Sequence, residues 1–146
     1  MPRIKLEIPG GKSIALLTIP VRISDINYGN HVGNDAFVSM IHEARVQWLA
    51  LHQYSELNAG GSGLIMSDLA VEFKNEAFYG DIIHIKILAG EISRVGFELY
   101  YHLSCKRKDN EVILVLAKTG MICYDYEKKK PVSVGDALKQ LLAGNG

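Results

Sequence analysis

Between positions 25 and 34 the chain places Asp25, Asn27, Tyr28, His31, Gly33 and Asn34, a carboxylate, two carboxamides, a phenol and an imidazole around a glycine. Further on, His42, Glu43 and Arg45 interrupt an apolar run, and Asp68 is a lone acid within Leu64–Val71. A carboxylate or an imidazole in such a place can move a proton or attack an electrophilic carbon. Carboxamide and backbone N–H groups can hold the negative oxygen that such an attack creates. The serine elbow Gly-x-Ser-x-Gly does not occur in the sequence, and neither does a glycine-rich nucleotide fingerprint. Cys105 and Cys123 lie in apolar stretches without metal-ligand spacing. They read as buried free thiols of a reducing compartment, and neither a metal nor a cofactor is expected.

The chain as a whole bounds this chemistry. Its 146 residues are the length of one domain, 1–146, and enough to enclose a core. Lys plus Arg number 16 and Asp plus Glu number 16, so the formal net charge is zero. That argues against nucleic acid or a membrane surface as a partner. A small anionic ligand needs only a few local basic groups, and a neutral chain repels its own copies weakly. The start, Met1-Pro2-Arg3-Ile4-Lys5-Leu6-Glu7, has no apolar leader core. No window approaches ~20 apolar residues, so the expectation is a cytoplasmic protein.

The elements that position these residues are legible in part. Residues 3–9 alternate as a short strand would, and residues 13–23 read as a second strand whose Pro20 marks an edge or bend. Asn34 or Asp35 is placed to cap a helix beginning near Ala36. That helix, about residues 35–53, has apolar residues at nearly every angle, which predicts burial on all faces and partners for Ser39, His42, Glu43 and Arg45. Strand patterns follow over 63–75, 82–93, 97–106 and 111–124, with Phe97, Leu99, Tyr101, Leu103 and Cys105 on one face. Phe78-Tyr79-Gly80-Asp81 and Lys108-Asp109-Asn110 read as tight turns, Lys128-Lys129-Lys130-Pro131 as a solvated turn, and 134–143 as a short helix ended by Gly144. Long strands with short connections imply an antiparallel sheet curled around one helix, an α+β fold.

This order resembles the hotdog fold, a curved antiparallel sheet wrapped around one long central helix. The segment Val21-Arg22-Ile23-Ser24-Asp25-Ile26-Asn27-Tyr28-Gly29-Asn30-His31-Val32-Gly33-Asn34, with the later His42-Glu43-Ala44-Arg45, is similar to the 4-hydroxybenzoyl-CoA thioesterase-like family. In that family an Asp-x-Asp step leads into a Gly-His-Val-Asn-Asn-like turn and a helix ending Glu-Ala-Arg. Phe78-Tyr79-Gly80-Asp81 matches its Gly-Asp turn, and the resemblance covers about residues 18–125. It implies a cofactor-free hydrolase of acyl-CoA or other acyl thioesters, with its site at a subunit interface of a homodimer or homotetramer. Amides near Gly33, Asn34 and Asp35 would hold the oxyanion at the helix N-terminus, with Gly33 allowing close approach of substrate.

The family's catalytic acid falls at Asn27, which can be neither base nor carboxylate nucleophile. Asn27 would instead orient water or the carbonyl while another carboxylate moves the proton. Glu43 on the helix is the first candidate, its alternative being an ion pair with Arg45 or a loop group. Asp25, matching the family's first acid, is the second, its alternative being a turn-fixing role. Asp68 is the third, its alternative being the outer face with Glu72 and Lys74 or a subunit contact. His31 either braces the loop through backbone carbonyls or touches substrate, and Tyr28 either lines an acyl pocket or packs. Two other functions stay open: an acyl-thioester-binding protein without turnover, to which Asn27 points, and a 3-hydroxyacyl-thioester dehydratase using His31 and Glu43.

Overall fold

The alternating segments pair into a curved six-stranded antiparallel sheet. The computed structural model describes residues 3–144. Strands β1 (Ala15–Pro20), β2 (Gly63–Phe73), β3 (Ile82–Ile92), β4 (Gly96–Arg107) and β5 (Asn110–Asp125) lie in the order β1-β3-β4-β5-β2. A two-residue β6 (Lys130–Pro131) extends the end of β5, and α2 (Asp136–Leu142) closes the described chain. Pro20 ends the edge strand β1, where its missing N–H costs no ladder bond. The β4–β5 hairpin turns at Lys108 and Asp109, both at positive φ (50° and 66°), as a two-residue turn matching the strand twist requires.

Helix α1 (Asn34–Leu51) lies against the concave side. Its Phe37, Met40, Ile41, Ala44, Trp48 and Leu49 join Ile85, Ile87, Leu99, Tyr101 and Ala117 in one core cluster. The predicted face of β4 is therefore the core face. The helix itself differs from expectation in two ways. It is buried on one face only: Val38, Ser39, His42, Glu43, Val46 and Ala50 point to solvent, because a single sheet covers one side. Its N-cap is Gly33 rather than Asn34 or Asp35, and no side chain caps it.

Residues 3–9 form no strand. Leu6 N–H donates to the Glu72 carboxylate on β2 (3.1 Å), while Ile14 N–H reaches the Ile87 carbonyl beside β1 (2.8 Å). Those anchors sit at opposite edges of the sheet, four strand spacings or about 19 Å apart, within the ~28 Å that eight residues can span. Leu88 on the convex side is 7% exposed yet lies outside the core cluster, and Leu6 and Ile8, half-buried, lie outside it too. The segment is thus a strap laid over the convex side.

Inside, the guanidinium of Arg45 is buried. It donates to Glu56 (3.1 Å) and to the Tyr101 hydroxyl (3.2 Å), which in turn meets Thr119 (2.8 Å). Glu43 is not its partner. Burial works against the Arg45 charge, but Tyr101 and Glu56 outweigh it and hold its pKa above the ordinary value. Removing Glu56 leaves that cation without its counter-ion. Glu56→Ala should therefore lower the unfolding free energy by about 3 kcal/mol in urea titrations at fixed protein concentration. Glu43→Ala, on the open face, should stay within about 0.5 kcal/mol.

Candidate active site

The loop before α1 is a small hairpin closed by backbone bonds. Ile26 and Val32 form a bridge, Asn27 N–H donates to His31 O (2.9 Å), and Asn30 N–H donates to Asn27 O (3.1 Å). Asn30 adopts φ 66°, a conformation asparagine tolerates better than most residues. Two further bonds tie this loop to the β2–β3 connection, Val21 N–H to Asp81 O (3.0 Å) and Val32 N–H to Ala77 O (2.8 Å), and a third, Gly33 N–H to Asp25 O (3.1 Å), closes it at the helix start. The Phe78–Asp81 turn that receives one of them is itself fixed, because Asp81 accepts from Arg107 (2.8 Å) and from the Phe78 amide (2.9 Å).

Asp25 is 6% exposed. One carboxylate oxygen accepts from the Arg22 amide (2.8 Å) and the other from its guanidinium (3.3 Å), so the acid closes the Ile23–Asp25 turn. The side-chain oxygen of Asn27 accepts from Gly29 N–H (2.9 Å). With its oxygen engaged, the Asn27 amide nitrogen faces the helix start, 3.7 Å from where a Cβ on Gly33 would sit. Gly33 matters for space rather than for φ, which is −73°. A Cβ there would meet the movable Asp35 carboxylate at 2.6 Å and lie in ordinary contact with Asn27 at 3.6 Å. Since the Gly33 amide is spent on Asp25, the donors left at this end are the Asn34, Asp35 and Ala36 amides and the Asn27 carboxamide.

A cavity of about 240 Å3 opens beside them, lined by His31, Val32, Asn34, Phe37, Phe73, Lys74, Asn75 and Glu76. Phe37 and Phe73 form its apolar wall with ring centroids 6.1 Å apart. His31 bonds the Val32 carbonyl through Nδ1 (3.1 Å), with Nε2 3.9 Å from Glu76. Glu76, Phe73 and Lys74 were not picked out from sequence, because they come from the far end of β2 and nothing local marks them.

Three expected site residues lie elsewhere. Tyr28, at the hairpin tip, is fully exposed (103%) and packs on nothing in the chain. Glu43 sits nine residues along α1 from Asn34, about 14 Å of helical rise, and accepts from Gln47 (2.7 Å). Asp68 is on the convex side of β2, where Lys118 (2.8 Å) and the Gly120 amide (3.0 Å) bind it. The hydrogen bond from Lys118 holds the Asp68 carboxyl below its usual range. Asn27, His31, Gly33 and Asn34 are the predicted residues that come together.

Comparison with known proteins agrees with this architecture. The chain is similar to a 1,4-dihydroxy-2-naphthoyl-CoA thioesterase from Synechocystis, at 20% identity and TM-score 0.76 over 88% of this chain and 94% of that one. It is similar to a mutant of 4-hydroxybenzoyl-CoA thioesterase complexed with 4-hydroxybenzoyl-CoA, at 14% identity and TM-score 0.78 over 88% and 97%. A Staphylococcus aureus protein in complex with CoA superposes at TM-score 0.78 with 13% identity, over 89% and 82%. No curated protein matches the sequence. The family model of the thioesterase-like superfamily matches residues 21–142, and the chain belongs to that superfamily, on a hotdog fold.

Proposed function

We propose that the protein hydrolyses acyl-CoA thioesters to free acid and thiol, without a cofactor. The observation that carries this reading is the donor set at the start of α1. The Asn27 carboxamide and the Asn34 and Asp35 amides converge beside the apolar-walled cavity. The positive end of the helix dipole adds to them, and such donors act where a carbonyl oxygen gains negative charge. The solved relatives bound to 4-hydroxybenzoyl-CoA and to CoA support a CoA thioester as substrate. In this reading Asp25 holds the loop and Asp68 belongs to the outer surface.

The working unit is a homodimer joined through β2. That strand is an 11-residue sheet edge whose outer ladder groups have no strand partner in the described chain. Phe73, at its end, is half-exposed on the cavity wall, so a second copy beside β2 would complete the site.

Purified protein mixed with acyl-CoAs of varied length and shape should release thiol, read with a chromogenic reagent. Asn27→Ala should lower kcat/KM by about 100-fold, the usual cost of losing one oxyanion donor. Acyl-CoA binding with no thiol release would replace this reading with that of a binding protein, which an asparagine at the family's acid position favours. Asp25→Asn should lower the unfolding free energy by about 1–2 kcal/mol through its weakened bonds to Arg22, a loss seen in the denaturation midpoint.

A further inference from the structure

A hydrolase with asparagine at the acid position needs another group to take a proton from water. Three observations converge on one side chain. First, the His31 ring bonds a backbone carbonyl through Nδ1, at 3.1 Å from Val32 O. A carbonyl only accepts, so the neutral ring carries its hydrogen on Nδ1 and keeps a lone pair on Nε2. Second, Nε2 is left accessible by Gly29: a Cβ at that position would lie 3.1 Å from it. Third, Nε2 is 3.9 Å from a Glu76 carboxylate oxygen, beyond a direct hydrogen bond, and both residues line the cavity beside Asn34.

We infer that His31 is the general base of this site and Glu76 its positioning residue, an inference that rests on the hydrolase reading above. Nε2 takes one proton from a water molecule, and the oxygen of that water forms a bond to the thioester carbon. The carbonyl electron pair moves to oxygen, facing Asn27 and the first-turn amides of α1. When it returns, the carbon–sulfur bond breaks and the thiolate takes the proton from the imidazolium. Thioester and water become acid and thiol, and the ring is neutral again. Glu76 sets a negative charge beside the imidazolium while it exists. The other charged groups on this side are Lys74, which pairs with Glu72 at 3.0 Å, and Asp35 in the first turn of α1.

The competing acids lack this placement. Asp25 has both oxygens on Arg22, and Glu43 is on the open face of α1. Among the described residues the titratable side chains lining the cavity are His31, Lys74 and Glu76.

The test uses the full-length protein and the acyl-CoA it hydrolyses fastest. His31→Asn should lower kcat by about 100-fold or more with KM little changed. The loss of kcat/KM that the wild type shows on acidification should vanish in that variant. Glu76→Gln should lower kcat and leave KM within about twofold, as expected of a group that acts after binding. Gly29→Ala should fold normally and lose kcat, because its methyl covers Nε2. Nitrogen NMR of the wild type should show the His31 hydrogen on Nδ1. His31→Asn with wild-type kcat and an unchanged acid limb, or a hydrogen on Nε2, overturns the role of His31 and leaves the hydrolase reading standing. A wild type that hydrolyses no acyl-CoA overturns both.

Discussion

The concave side of the sheet has to be covered, and α1 is the element that covers it. Ile83, Ile85, Ile87, Leu99, Tyr101 and Leu103 lose nearly all their water there. Each buried side chain of this size is worth about 1.5–3 kcal/mol. Every other feature of the concave side follows from seating that helix. Arg45 fixes its C-terminal half through Tyr101 and Glu56, and the backbone bonds of Val32 and Gly33 fix its start. The donor-rich end is therefore built by packing, and the proposed chemistry would occupy a place that packing has already made rigid.

How far the sequence revealed this depended on the range of the interactions. Strands β3 to β5 were legible because alternation is local: Phe97 to Cys105 show it within nine residues, and Lys108-Asp109 declare their own turn. Residues 3–9 show the same alternation, yet they make no ladder, because their neighbours are side chains of a sheet face and not a free edge. The cap of α1 was misplaced for a related reason. Asn34 and Asp35 have capping side chains, but Gly33 N–H is drawn to Asp25, and that bond decides where the helix begins.

The site was half visible. Asn27, His31, Gly33 and Asn34 are neighbours in the chain and remain so in space. Glu76 and Phe73 join them from about forty residues away, so no spacing rule could find them. The one open face of α1 escaped for a different reason: a helix with apolar residues all round reads as enclosed, whereas a single chain covers one side. Val38, Val46 and Leu51 remain exposed on it. Nothing in composition says whether such a face is closed by the same chain or by another.

The strap over the convex side carries a consequence for time as well as shape. The anchor of Leu6, Glu72, is made 66 residues after it, and the surface between them needs β3 and β4 in place. A segment made so long before its seat is thus among the last to be seated. Until then Leu88 and its neighbours on the convex side stay wet while the concave core is already complete. A segment joined late through so few bonds is also the first to let go, opening and closing as a unit of its own while the helix start on the opposite side of the sheet stays still.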